Sequence, residues 1–155
     1  MKDLTQLLSE QPIFSDLGND MFALVAGCAR NEHFGVDEYL FRTGEPADRF
    51  FLVRRGLVAL ELVRTAGSRL IIDTVSTGEI AGLSWLVPPY RWSLDARAVE
   101  ETSAVSIDAG CLRRKCDDEP RIGYVLLQRV SSAMYQRMHA ARVRMADVYG
   151  VPADD

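Results

Sequence analysis

The segment from residue 78 to residue 98 contains the parts of an anion-binding site. Gly78 permits a tight turn because glycine has no Cβ. The backbone amides after Glu79 are expected to point outward at a helix N-terminus, where they can donate hydrogen bonds to a phosphate. Arg91 adds a planar guanidinium, which suits paired hydrogen bonds to phosphate oxygens. These residue types predict a phosphate-binding cassette over residues 78–98.

Short β-strands are predicted around this cassette. Apolar and β-branched residues cluster at 50–53, 57–63, 70–75 and 104–107, and glycines interrupt the pattern at 44, 56, 67 and 78. Runs of this length between turn residues are typical of strands. Their spacing favours a sandwich or a jelly roll. We therefore predict a mainly β fold with flanking helices, in which an antiparallel β-roll or jelly roll covers residues 31–108.

Helical periodicity is found at both ends of the chain. Residues 1–30 are predicted to contain two short helices, at 4–9 and 19–29, with candidate caps at Ser15, Asp16 and Asn19. From Ile122 to Val148 apolar residues recur at intervals of three and four, and Pro120 suits the first turn of a helix. Residues 109–149 are therefore predicted to be C-terminal helices, and the whole chain, 1–155, to be a single domain.

This order of elements resembles the cyclic nucleotide-binding domain family over residues 14–149. In that family two helices precede a β-roll, a phosphate-binding cassette lies within the roll, and a long helix follows. The resemblance implies that Gly78 opens the cassette and that Glu79 contacts the ribose 2′-hydroxyl. It also implies that the amides of Ile80 and Ala81 face the cyclic phosphate and that Arg91 pairs with it.

The sequence departs from the family pattern around Arg91. That arginine follows Glu79 by twelve residues, a longer interval than the family commonly has, and the preceding Pro88 and Pro89 stiffen the loop. Trp92 and Ser93, which come next, are included in the candidate ligand site. Trp92 is expected to close the pocket, to form a stacking platform for a purine together with Trp85 and Tyr90, or to pack in the core.

Two functions of different class follow from these residues. The first is a regulatory domain that senses a cyclic mononucleotide, cAMP or cGMP, or a similar small phosphate ligand, and signals through its C-terminal helix. The second is a dimeric protein-interaction module whose pocket is filled by its own aromatic side chains. The long helix would extend about 40 Å, too far for a small roll to cover its apolar stripe, so a homodimer is predicted. Related transcription factors carry a helix-turn-helix domain after the long helix. Without one, the sensor is expected to act through an unidentified protein partner or a separate output domain.

Enzymatic activity is not expected. A metal-dependent enzyme on a β-roll needs several histidines and a carboxylate around one metal, whereas this chain has only His33 and His139. His33 is predicted to lie at a strand edge and His139 on a solvated helix face. Three cysteines, Cys28, Cys111 and Cys116, are too few for an iron–sulfur cluster and favour reduced thiols. We predict no metal and no cofactor.

Charge and hydropathy bear on the partners. The formal net charge is −4, and acidic residues outnumber basic ones over the first 110 positions, which disfavours direct binding to nucleic acid. No stretch of about 18 uncharged apolar residues and no signal peptide is recognised, so no membrane association is expected. The predicted location is the cytoplasm.

Overall fold

Two antiparallel sheets, each with four strands among the described residues, form the centre of the structure. The computed structural model describes Gln6, Leu8, Phe14 and residues 18–150. The elements within 18–150 are α1 (Asn19–Ala26), β1 (Ala29–Phe34), β2 (Tyr39–Phe41), β3 (Arg49–Arg55), β4 (Val58–Val63), β5 (Arg69–Val75), β6 (Ile80–Ala81), a 3-10 turn (Ser84–Leu86), β7 (Asp95–Ala98), β8 (Thr102–Asp108), α2 (Ala109–Asp118) and α3 (Pro120–Tyr149). The strand orders are β1-β8-β3-β6 and β2-β7-β4-β5, which confirms the predicted β-roll.

The hydrophobic pattern explains which strands lie in the centre. In β3 the four residues 50–53 are all buried, because the second sheet covers one face of the strand and α2 packs near the other. The strand β5, at the edge of its sheet, keeps Leu70 and Ile71 exposed. The predicted runs at 50–53, 57–63, 70–75 and 104–107 all fall within or overlap β3, β4, β5 and β8. The strands β1, β2, β6 and β7 were not individually predicted.

The N-terminal helix is shorter than predicted. The helix α1 ends at Ala26, and its N-cap is Gly18, which offers no side-chain hydrogen bond. Asn19 is therefore the first helical residue and the prediction that it caps the helix is wrong. Apart from Gln6 and Leu8, the predicted helix at 4–9 lies outside the described residues, as do Ser15 and Asp16.

Cys28 and Cys111 form a disulfide that joins the turn after α1 to the first turn of α2. The prediction of three reduced thiols is therefore wrong. The two cysteines lie 83 residues apart in sequence, and only the tertiary fold brings them together. A hydrogen bond of 2.8 Å from Lys115 Nζ to the Leu24 carbonyl forms a second link between these helices. Cys116 is free, and burial raises the pKa of its thiol.

The long helix α3 begins at Pro120 and runs to Tyr149, as predicted. Its first half packs on the domain through Ile122, Leu126 and Val130, which are buried. Its last two turns leave large apolar side chains in contact with solvent, with Tyr149 80% exposed. The roll therefore covers only part of the apolar stripe. Among the described residues, no helix combines the length and the apolar composition that crossing a bilayer requires.

Candidate ligand site

The cassette begins with a turn at Gly78 and continues as a short strand. Gly78 has φ +87°, which favours glycine, and its N–H donates to the Val53 carbonyl at 2.8 Å. Ile80 and Ala81 form β6, in which Ala81 pairs with Phe51 of β3. The expectation that these amides lie at a helix N-terminus is wrong, because pairing with β3 buries both side chains and draws the segment into the sheet.

Glu79 lies exposed at the rim of the cassette. Its Oε1 accepts hydrogen bonds from the Ser76 Oγ at 2.6 Å and from the Ser76 backbone N–H at 3.1 Å. The carboxylate is thus held at the end of the turn that Gly78 forms. Its predicted contact with a ribose hydroxyl remains a prediction.

Arg91 lies on a different loop. Its guanidinium is exposed and donates to the Gly44 carbonyl at 3.1 Å. The adjoining backbone is paired with the same loop, since the Trp92 N–H donates to the Glu45 carbonyl at 3.0 Å. The long interval after Glu79 gives the chain enough length to reach this loop. The structure does not bring Arg91 together with Glu79, and its pairing with phosphate remains a prediction.

The three aromatic residues of the insertion pack against different partners. Trp92 is buried and stacks on Phe41, with ring centroids 3.9 Å apart. Trp85 is buried against Phe50, and the Tyr90 ring is covered by the Arg113 guanidinium. A single stacking platform made of all three rings is therefore not formed. Trp92 both closes the inner side of the site and packs in the core.

Two cavities lie between the β-roll and α3. Cavity A, of about 510 Å³, is bounded by the cassette and by α3, and its lining includes Gly78, Glu79, Ile80 and Gln136. Cavity B, of about 410 Å³, is more apolar, and its lining includes Leu60, Trp92, Ser93, Leu94 and Met134. Asp73 and Arg137 line both cavities, whereas Ala81 and Arg91 line neither. We refer to the two together as the cleft.

Arg137 is a positive group of α3 that reaches the cassette. Its guanidinium donates a hydrogen bond to the carbonyl of Ile80 in β6. Burial lowers the pKa of Arg137, while the nearby carboxylates of Asp73 and Glu79 act in the opposite direction. Arg137 was not among the predicted site residues. The sequence places Arg129, Arg137 and Arg144 roughly on one side of the helix, and this spacing alone does not distinguish a solvated face from a contact with a ligand or partner.

A family model and several known proteins match the sequence or the fold of this chain. The model described as "Cyclic nucleotide-binding domain" matches residues 31–119, more than half of the chain. The chain belongs to the cyclic nucleotide-binding domain family. As a member of that family, it is a ligand-sensing regulatory domain.

Solved structures share the fold of this cyclic nucleotide-binding domain. A protein from Geobacter metallireducens GS-15 is similar with a TM-score of 0.79 and 26% identity, covering 90% of this chain and 100% of that chain. A cyclic nucleotide-binding domain from Methylobacillus flagellatus KT is similar with a TM-score of 0.79 and 17% identity, covering 98% and 84% of the two chains.

The curated relatives are longer than this chain. It is 21% identical to the anaerobic regulatory protein of Bacillus subtilis, over 96% of this chain and 69% of the relative. It is 22% identical to an uncharacterized NTE family protein of Mycobacterium tuberculosis, of which it spans 25%. It is also 22% identical to a CRP-like cAMP-activated global transcriptional regulator of the same species, over 94% of this chain and 63% of the regulator.

Gly82 provides a test of how tightly Trp92 closes the site. Gly82 has φ +98°, and a Cβ there would lie 2.6 Å from the Trp92 Cη2 atom. We expect Gly82→Ala to lower the free energy of unfolding by about 1–3 kcal/mol, because the indole must move. The control is Gly67→Ala, where φ is +78° but no atom lies within 4 Å, so that only backbone strain remains. Urea denaturation of both variants measures the difference, and equal losses would contradict close packing of Trp92 on Gly82.

Within the part of the chain that the structure describes, no group of three or more histidine, cysteine, aspartate or glutamate side chains is placed to hold a metal ion. His33 lies in the edge strand β1, with its Nε2 3.7 Å from the Glu101 carboxylate, and His139 is exposed on α3. The predicted positions of both histidines are confirmed.

Proposed function

We propose that this domain binds a cyclic mononucleotide in the cleft and transmits binding through α3. The observation that carries the proposal is the hydrogen bond from Arg137 of α3 to the Ile80 carbonyl of the cassette. It places a guanidinium beside the turn at Gly78 and links that turn physically to the long helix. The guanidinium groups of Arg91 and Arg144 donate to other carbonyls, those of Gly44 and Ile72.

Each part of the ligand has a complementary part of the cleft. In cavity A the rim residue Glu79 can accept a hydrogen bond from a ribose hydroxyl, and Arg137 can donate to the cyclic phosphate. Cavity B has the apolar walls and the size that a base needs, with Leu60, Trp92 and Met134 in its lining. We assign the phosphate contact to Arg137 rather than to Arg91, since Arg91 lines neither cavity.

The same contact supplies a route for the signal. We infer that a bound phosphate takes over the Arg137 nitrogen that donates to the Ile80 carbonyl, so that binding exchanges one partner of α3 for another. A ligand shifts a conformational equilibrium only by its difference in affinity for the two states. That difference arises here from whether Arg137 holds the carbonyl or the phosphate. The second half of α3, which the roll leaves exposed, would carry the change to a second copy or another protein.

Calorimetry with cAMP and cGMP tests the proposal. Arg137→Ala is expected to weaken binding about tenfold to a hundredfold, the equivalent of one charge-assisted hydrogen bond of about 1.5–3 kcal/mol. Arg142→Ala is the control, because Arg142 is an exposed arginine on the same helix that lines neither cavity. Absence of binding below millimolar concentration would reject the proposal. Equal affinity of the wild type and Arg137→Ala would reject the role of Arg137.

A ligand-free interaction module is the second candidate. It is favoured by the position of the Trp92 indole against Gly82 and by the exposed position of Arg91. Under this alternative the exposed apolar half of α3 forms a homodimer and no nucleotide binds. Sedimentation equilibrium with and without cAMP or cGMP separates the two. Sedimentation reports the state of association, and calorimetry reports binding. If the domain is a sensor, nucleotide binds whether the protein is a monomer or a dimer. If it is an interaction module, the protein is a dimer and no nucleotide binds.

A further inference from the structure

Asp73 is an acidic residue in a cleft that is proposed to receive an anion. It lies in β5 opposite Leu60 of β4, and cross-strand partners point to the same face of a sheet. Its side chain is 26% exposed and lines both cavities. A carboxylate at this position repels a phosphate placed beside it. A ligand that also carries hydrogen-bond donors can offset this repulsion.

The carboxylate has spare capacity to accept hydrogen bonds. The Asp73 Oδ1 accepts from the backbone N–H of Thr74 at 2.8 Å, and the Arg144 guanidinium lies 3.9 Å from the same oxygen. The other oxygen, Oδ2, accepts no hydrogen bond from the described residues. An ionised carboxylate has about four acceptor positions in all. Asp73 can therefore take two further donors from a ligand.

Binding of a phosphate to Arg137 makes hydrogen-bond donors near the Asp73 carboxylate more favourable. Asp73 and Arg137 attract each other, since Asp73 acts to raise the pKa of Arg137 against the effect of burial. Once a phosphate neutralises the guanidinium, the Asp73 carboxylate loses part of its favourable interaction. Ligand N–H groups directed at Asp73 would restore it.

Purines differ in the donors that they offer. Guanine carries an N1–H and an N2 amino group on one edge, two adjacent donors that match the two oxygens of a carboxylate. Adenine presents an unprotonated N1 on the corresponding edge, and its lone pair repels a carboxylate. Hypoxanthine keeps the N1–H and lacks the N2 amino group. On the edge formed by N1 and C2, adenine, hypoxanthine and guanine therefore offer zero, one and two donor groups, and the N6 amino group of adenine lies on the opposite side of N1.

We propose that Asp73 makes this cleft selective for a guanine nucleotide, by accepting hydrogen bonds from N1–H and the N2 amino group of the base. This inference rests on the function proposed above, because it requires that a cyclic nucleotide occupies the cleft. The base lies in cavity B, whose walls are mostly apolar and whose lining includes Asp73. Asp73 is thus a specificity-determining residue.

Competition calorimetry with cGMP, cIMP and cAMP tests the selectivity. We expect cGMP to bind at least about tenfold more tightly than cAMP, with cIMP between them, because one good bidentate contact discriminates bases to about this extent. Asp73→Asn is expected to reduce the cGMP to cAMP ratio to within about threefold. The matched control is Asp147→Asn, which removes an exposed carboxylate of α3 that lines neither cavity and should leave the ratio unchanged.

The outcomes separate this inference from the proposed function. Failure of all three nucleotides to bind would reject the proposed function and the selectivity with it. Binding in which cAMP equals or exceeds cGMP would overturn the selectivity alone. A preference for cGMP that survives Asp73→Asn would overturn the assignment to Asp73. If circular dichroism shows that Asp73→Asn folds poorly, the affinities of the wild-type protein for cGMP and cIMP are compared instead. Near-equal affinities would exclude recognition of the N2 amino group and overturn the inference.

Discussion

Replacing Arg97 with methionine is expected to lower the free energy of unfolding by about 3–5 kcal/mol, because the change leaves a buried carboxylate without its partner. The Arg97 Nε donates to Glu61 Oε1 at 2.7 Å, and the Glu61 side chain is only 5% exposed. A second hydrogen bond of 2.7 Å joins the Arg97 guanidinium to Asp37 at the surface. The contact with Glu61 is the main reason that the pKa of Arg97 is raised.

A double-mutant cycle identifies the cause of this loss. Urea denaturation of Arg97→Met, of Glu61→Met and of the double variant should show that the double variant recovers much of the stability, since the Glu61 carboxylate is then no longer buried without a partner. The control is Arg30→Met, because the Arg30 side chain is 69% exposed in its pair with Glu32 and such pairs contribute about 0–1 kcal/mol. A loss for Arg97→Met no larger than that of the control would contradict the account.

Removal of the disulfide is expected to lower the free energy of unfolding by about 2–4 kcal/mol. The bond between Cys28 and Cys111 closes a long loop, so that the unfolded chain without it gains conformational freedom. The Cys28→Ser, Cys111→Ser double variant should be as stable with a reductant as without one. Cys116→Ala is the control, because Cys116 takes no part in the bond.

Counting thiols checks the bond itself. The unfolded protein should react with one equivalent of a thiol reagent before reduction and with three after reduction, as the chain holds three cysteines. Three reactive thiols before reduction would show that the disulfide is absent under those conditions. In that case the stability of the double variant would differ little from that of the wild type.

Local patterns made much of the fold predictable. The helix from Pro120 to Tyr149 has an apolar period and a clear first and last residue, so its bounds follow from the sequence alone. The strands β3, β4, β5 and β8 contain long apolar or β-branched runs. The strands β2, β6 and β7 have only two to four residues, and β1, Ala29–Phe34, is largely polar. Such segments become strands because a neighbour pairs with them, which is not a local property.

The site was less predictable because it depends on contacts that are distant in sequence. Arg137 meets Ile80 across 57 positions, and nothing in the helical pattern distinguishes its contact from a solvated one. The family pattern indicated Arg91, and the longer interval after Glu79 lets that residue donate to the Gly44 carbonyl, a contact that the sequence pattern does not indicate. The turn at Gly78 followed from residue type, since a positive φ favours glycine, and the buried position of Trp92 agrees with one of its three predicted roles, packing in the core.

A crystal structure of the domain with bound cGMP locates the phosphate and the base in one experiment. We expect the cyclic phosphate between the turn at Gly78 and the Arg137 guanidinium, with the Ile80 carbonyl released from Arg137. We also expect the base in cavity B. Nucleotide bound beside Arg91, or a cleft that stays empty at saturating cGMP with Arg137 still on the Ile80 carbonyl, would contradict this proposal.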